Sequence, residues 1–396
     1  MSGLSKLNMM DFTTLIPVRE SKIEAAKAQK LPENDAYKAN QIAKALHPDV
    51  QNLIVSDVVE LNADARLYTL TPDLENGTKE LAYFSAGQYL SISLQIGSAV
   101  TARPYSICSA PSESLNGVYK ILVKKAKDGF VSDYIISNWE KGTKVKASAP
   151  EGNFTFEPLR DAKNVIGIAG GSGISVFYSM AKAIQNGDED FSLTILYGSR
   201  TEKDILLKKE LDEIAEHCSK VKIVYVLSDE DTAVYEHGFI TADLIQKYKT
   251  DDSYSVFVCG PKEMYDFEKN ELKMLGLRHK FIRFELSGLY KDPHKYVSFP
   301  KEKAGSYSLK VCTSDGERTV NCSSNETLLV ALERSGIEVP SRCRSGECGW
   351  CRLRLVKGEV FIPDENDGRR LADIQFGYIH PCVSYPLSNI ALELNH

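Results

Sequence analysis

The chain has no surplus of positive charge. Its 48 lysines and arginines are outnumbered by 54 aspartates and glutamates, for a net charge of −6. A nucleic-acid partner is not expected, because phosphate binding needs a basic surface. Nor is there a disulfide framework: the nine cysteines are an odd number spread through 396 residues. Histidine is scarce, and His217, His237 and His279 lack metal-ligand spacing. No internal repeat is present. Long apolar runs are missing too. The uncharged stretch NVIGIAGGSGISVFYSMA at 164–181 reaches the lower limit for a bilayer span, roughly 17 residues. Its centre, GGSG, suits a turn, so it reads as a buried strand, a turn and a helix start. The opening MSGLSKLNMMDFTTLIPVRE has no apolar core before its first acid. No secretory signal is expected, and the expected location is cytoplasmic.

What is present is an ordinary globular composition, 43% hydrophobic and 26% charged, long enough for about two to four domains. Residues 1–50 read as a helical extension: ESKIEAAKAQ and NDAYKANQIAKALHPD have helical spacing, with Pro48 as a stop. From 51 to 157, YLSISLQIG, VYKILVKKA and TKVKASAP alternate with period two, which predicts a small antiparallel barrel. From 158 to 290 the apolar runs NVIGIAG, FSLTILYG, VKIVYVLS and YSVFVCG alternate with helical stretches. This predicts a doubly wound parallel α/β domain. Residues 291–304 read as a polar linker. From 305 to 396 a third unit opens with a hairpin around Asp315–Gly316, followed by the helix ETLLVALERSG ending at Gly336.

Three cysteines crowd into SRCRSGECGWC. The spacing is Cys343-x4-Cys348-x2-Cys351, with Cys382 far downstream. Zinc sites usually join two short pairs; three thiolates on one loop with a distant fourth is the ligand spacing of a plant-type [2Fe–2S] ferredoxin. A loop wrapped on a cluster must bring N–H groups to the sulfurs, and Gly346 and Gly349 permit close approach. The stretch resembles the ferredoxin cluster loop, which implies a β-grasp ferredoxin domain with these four cysteines as metal ligands. The domain is not strongly acidic: 10 basic against 12 acidic residues over 305–396 is a net −2. Arg342, Arg344, Arg352 and Arg354 surround the loop, so a locally basic face that docks an acidic partner is expected.

Upstream, Arg103-Pro104-Tyr105-Ser106 resembles the Arg-x-Tyr-Ser motif of the ferredoxin–NAD(P) reductase family. An arginine pairs with phosphate. The resemblance implies that Tyr105 packs on the flavin ring and that Ser106 reaches the flavin nitrogen where hydride arrives. Val123 and Lys124 precede the turn KAKDGFVS. By the same resemblance, Gly129, Val131 and Ser132 would hold the flavin pyrophosphate at a helix N-terminus. FAD is implied over FMN, which stays open. VIGIAGGSGIS resembles the family's glycine-rich motif, with Ser175-Val176 in place of Thr-Pro. Gly170, Gly171, Ser172 and Gly173 would receive the nicotinamide dinucleotide. Ser199 and Arg200 would meet its ribose. Arg200 would suit NADPH, whereas Asp229, Glu230 and Asp231 would repel a 2′-phosphate, so the expectation is NADH with NADPH open. FVCGPKEM resembles the family's Cys-Gly-Pro signature. It places Cys259, Gly260, Pro261 and Met264 at the nicotinamide, with Cys259 beside the reacting carbon and Glu285 lining the same site.

The order barrel, nucleotide domain, ferredoxin resembles reductase components of multicomponent oxygenases. The implied activity is NAD(P)H-dependent electron transfer. Hydride delivers two electrons to the flavin, and the cluster passes them singly to a separate protein acceptor such as an oxygenase. Catalytic roles fall to Ser106, Cys259 and Glu285. The alternative is an electron-transfer subunit of a larger complex with little NAD(P)H activity of its own.

Overall fold

In the computed structural model, residues 9–28, 37–285, 288–290, 292–313 and 316–394 are described. The chain forms two compact units, Met1–Leu46 and His47–His396. The first carries two helices, α1 (Met9–Ala28) and α2 (Lys38–Leu46). α1 runs further than the helical spacing predicts and continues through Pro17. No helix among the described residues is long and apolar enough to cross a membrane. The uncharged stretch 164–181 is divided as its GGSG suggests.

The second unit begins with six antiparallel strands: β1 (Gln51–Asn62), β2 (Ala65–Pro72), β3 (Tyr89–Ile96), β4 (Ala99–Ser106), β5 (Tyr119–Lys124) and β6 (Lys144–Ala147). Their order is β4-β3-β6-β1-β2-β5. The two edges meet: Ile107 bridges Ile121, and Cys108 N–H donates to Lys120 O (2.7 Å). This closure removes free edges and encloses Leu53, Tyr68, Leu90, Ile92 and Val123. Two helices accompany the barrel, α3 (Pro111–Ser114) and α4 (Val131–Asn138).

The second layer follows the predicted alternation. Its elements are β7 (Asn164–Gly170), α5 (Ile174–Asn186), β8 (Ser192–Ser199), α6 (Lys208–His217), β9 (Val221–Leu227), β10 (Glu236–His237), α7 (Ala242–Tyr248), β11 (Ser255–Cys259), α8 (Lys262–Met274) and β12 (Ile282–Phe284). All pairings are parallel, in the order β10-β9-β8-β7-β11-β12. The winding direction reverses between β7 and β11, and ligands bind parallel sheets at the carboxyl ends of strands at such a switch point. The central strands are buried along their length, which explains their unbroken apolar runs.

The third part contains β13 (Ser306–Thr313), β14 (Gly316–Ser323), α9 (Leu328–Arg334), β15 (Leu353–Lys357), β16 (Val360–Phe361), α10 (Leu371–Gln375), β17 (Tyr378–Ile379), β18 (Tyr385–Pro386) and β19 (Ile390–Glu393). The main sheet runs β14-β13-β19-β15-β17. β13 and β14 pair in register up to Thr313–Gly316; Asp315, in the expected hairpin turn, lies outside the described residues. The Thr327 hydroxyl accepts from Val330 N–H at the start of α9, and Gly336 follows its end at φ 68°.

One sequence expectation changes. The stretch read as a polar linker carries Tyr296 and Phe299, which are buried against Phe361 and Tyr385. Aromatic burial anchors it, despite its prolines and charge.

Candidate active site and cluster loop

The switch point brings two sequence motifs together. β7 runs out into the turn Gly171–Gly173, and β11 into Gly260-Pro261 after Cys259. A Cβ on Gly170 would meet Met264 Sδ at 2.8 Å and Pro261 Cδ at 2.9 Å, and one on Gly173 would overlap the Cys259 carbonyl. The glycines are thus required by close approach of two loops, and Met264 packs behind them. Gly171 sits at φ 54°, with Lys124 Nζ near it. Tyr197 donates to Gly171 O (3.0 Å) and accepts from Leu206 N–H (3.1 Å), which fixes the turn. The start of the thirteen-residue α5, which has no side-chain cap, lies beside a lysine and fits a pyrophosphate. At the end of β8, Ser199 O accepts from Ser228 N–H (3.0 Å) and Arg200 O from Asp229 N–H (2.9 Å), so Arg200 and Asp229 stand side by side.

Three elements meet at Glu285. Its N–H donates to Val258 O (2.9 Å), holding it just past β12. Its carboxylate accepts from Ser106 Oγ (3.0 Å) and from the Cys259 thiol. Burial pushes the Glu285 carboxyl up, and the two hydrogen bonds partly counter this. Burial, then the Glu285 charge, pushes the Cys259 thiol well up, so it stays protonated. The three residues assigned catalytic roles are therefore one hydrogen-bonded group across the barrel and nucleotide layers.

The other flavin-motif residues divide. Tyr105 packs beside the barrel core. Val123 and Val131 point into that core, so only their backbone is open to a cofactor. Ser132 Oγ accepts from Ala126 N–H (3.0 Å) and closes the turn before α4 around Gly129. Arg103 turns instead toward its own strand and α9. It bonds Thr101 Oγ1 and Ala102 O, and its guanidinium lies 4.0 Å from Glu333 on α9. Burial, then the neighbouring Arg344 charge, lowers it to about 10.

The cluster loop is tightly built. Gly346 (φ 89°) and Gly349 (φ 73°) adopt conformations that favour glycine, and a Cβ on Gly346 would overlap Asn366 O. The cysteines form two pairs. Cys343 Sγ accepts from Ser345 N–H (3.5 Å) and Cys348 N–H (3.4 Å); the Cys348 thiol above all, and then these groups, hold the Cys343 thiol below its ordinary range against the effect of burial. Cys351 and Cys382 sulfurs are 3.4 Å apart. Among the described residues no three His, Cys, Asp or Glu converge on a single ion. Two pairs of thiols fit two irons better than one zinc. His380 was not singled out in the sequence; it is buried and its Nδ1 lies 2.6 Å from Gly346 O, bracing the loop.

The expected basic docking face is largely neutralised within the chain. Arg342 pairs with Glu151 of the barrel, Arg344 with Glu333, Arg352 with Asp373 and Arg354 with Glu393.

Comparison with known proteins agrees with this geometry. The family described as oxidoreductase FAD-binding domain matches residues 52–156, the oxidoreductase NAD-binding domain 168–270, and the 2Fe-2S iron-sulfur cluster binding domain 312–387. The glycine betaine monooxygenase reductase subunit of Chromohalobacter salexigens is 27% identical over 327 residues, spanning 79% of this chain and 88% of that protein. The ferredoxin reductase component of 3-ketosteroid-9-alpha-monooxygenase from Rhodococcus rhodochrous is 28% identical, with 85% and 94% covered. The solved structure of phthalate dioxygenase reductase shares the fold, with TM-score 0.62, 24% identity and coverage of 87% of this chain and 98% of that one. The fold and site define an NAD(P)H oxidoreductase that carries flavin and a [2Fe–2S] cluster. The chain carries these three domains in one sequence, with the ferredoxin–NADP reductase-like fold of a three-domain iron–sulfur flavoprotein reductase.

Proposed function

We propose that the donor is NADH, that the flavin is FAD, and that the acceptor is the terminal component of an oxygenase, all in the cytoplasm. When bound, the flavin would supply two-electron chemistry with hydride and the cluster one-electron chemistry. The protein's part is binding and positioning. The glycine turn and Lys124 would hold the pyrophosphate. Cys259, Ser106 and Glu285 would frame the place where nicotinamide meets flavin, with Glu285 orienting hydroxyl and thiol. Cys343, Cys348, Cys351 and Cys382 would hold the irons. The hydrogen-bonded group Ser106–Glu285–Cys259 carries this reading, because it joins the flavin motif to the nicotinamide motif.

NADH is favoured by Asp229, whose backbone is tied to Arg200 and whose carboxylate opposes a 2′-phosphate there. The five cysteines outside the cluster set, Cys108, Cys218, Cys259, Cys312 and Cys322, form no disulfide, in keeping with a reducing compartment. The oxygenase acceptor rests on the relatives, whose names place them as reductase components of monooxygenases. Anaerobic mixing of purified protein with NADH, and separately NADPH, tests the donor: flavin should bleach at least about tenfold faster with NADH, one such factor being about 1.4 kcal/mol of discrimination. Faster bleaching with NADPH would overturn the choice.

A further inference from the structure

Tyr89 was read only as part of a strand, yet it stands where the two redox sites approach. It opens β3 directly opposite Ser106 of β4. Its backbone is locked to Glu151 by two hydrogen bonds, Tyr89 N–H to Glu151 O (2.8 Å) and Glu151 N–H to Tyr89 O (2.9 Å). The Glu151 side chain pairs with Arg342, the residue before the cluster ligand Cys343. Arg342 in turn lies 3.4 Å over the ring of Trp350, the residue before Cys351. Ser91, two residues along β3, donates to Arg342 O (3.4 Å). The Tyr89 ring is itself fixed: a Cβ on Gly152, at φ 103°, would stand 3.0 Å from it. A cleft of about 220 Å³ is lined by Tyr89, Glu285 from the hydride site and Glu347 from the cluster loop.

We propose that Tyr89 is the positioning residue that joins the flavin site to the cluster, its ring filling the space between Ser106 and the Cys343–Cys348 loop while the Glu151–Arg342 pair clamps that loop on the barrel. The proposal rests on the flavin and cluster reading above. Burial, then the nearby Cys343 and Cys348 sulfurs, raises the Tyr89 phenol, which agrees with its nearness to the loop. The step it serves is one electron leaving reduced flavin and one ferric ion of the cluster becoming ferrous. Tyr89 is neither oxidised nor reduced, and none of its bonds changes.

The test compares Tyr89→Leu and Tyr89→Phe with the parent in anaerobic stopped-flow mixing with NADH. Flavin bleaching and cluster reduction are followed separately, with the midpoint potentials and cluster EPR spectra of each protein. In Tyr89→Leu, cluster reduction should slow at least about tenfold relative to flavin bleaching, the scale on which an ångström of misplacement costs rate. Potentials and EPR spectra should stay those of the parent, and Tyr89→Phe, which keeps the ring, should restore the rate. Unchanged cluster reduction in Tyr89→Leu would overturn the proposal. So would a slowing explained by a shifted potential, or one shared equally by both steps. Failure of the parent protein to bleach with either NADH or NADPH would instead overturn the reductase reading itself.

Discussion

Glu268 on the inner side of α8 offers a prediction independent of any cofactor. It is 1% exposed, and its Oε2 has no hydrogen-bond partner among the described residues. Burial, then repulsion from Glu271, raises its carboxyl from 4.5 to about 8. Between those values the folded protein keeps a proton that the unfolded chain has released. Stability is therefore intact below pH 4.5, falls as pH rises, and reaches its full loss above about 8. The slope is about 1.4 kcal/mol per pH unit, so the whole window sums to about 5 kcal/mol. Side-chain relaxation and water entry reduce such buried-charge costs, and about 2 kcal/mol is the expected loss. Glu268→Gln keeps the shape and removes the charge. Calorimetric melting at about pH 4 and about pH 9 should give nearly equal Tm values at the lower pH and a variant that melts roughly 3 °C higher at the upper. An equal gap at both pH values would refute the argument.

Three further outcomes follow from the site. Glu333→Ala strips a carboxylate, 6% exposed, that accepts two bonds from Arg344 (2.5 and 3.1 Å). Arg344 and Arg103 retain 13% and 27% exposure, so the cost should fall at the low end for a broken buried pair, about 3 kcal/mol, read as earlier loss of cluster absorbance in urea; a loss below about 0.5 kcal/mol would contradict it. Glu285→Gln should keep flavin bound but slow bleaching by NADH by about 100-fold, as when a group aimed at the reacting atoms is lost; an unchanged rate would remove Glu285 from the site. Cys382→Ser should abolish the cluster EPR signal yet leave NADH-driven dye reduction within about twofold, because the hydride site lies in other domains.

Much of the fold was legible because its signals are local. The period-two strands and the apolar runs of the parallel sheet each follow from which faces are buried. The cysteine spacing, with Gly346 and Gly349, reported a loop whose backbone must turn at positive φ. Ser106, Cys259 and Glu285 were named separately, but only the fold shows them sharing one hydrogen-bonded group. What escaped the sequence is long-range. Tyr89 and His380 are held by contacts with residues 62 positions (Glu151) and 34 positions (Gly346) away. The arginines around the cluster suggested a docking face because their acidic partners, Glu151, Glu333, Asp373 and Glu393, all lie outside the cluster loop. The linker misled for a related reason: two aromatic residues outweigh its polar composition once Phe361 and Tyr385 are brought to them.

The central claim is a single path from nicotinamide through flavin to the cluster. Rapid freezing after anaerobic mixing with NADH, with visible and EPR spectra taken on the same samples, tests it most directly. The account predicts flavin bleaching first, then a rhombic [2Fe–2S] signal appearing in the same molecules. A bound flavin and cluster that neither NADH nor NADPH reduces would contradict it.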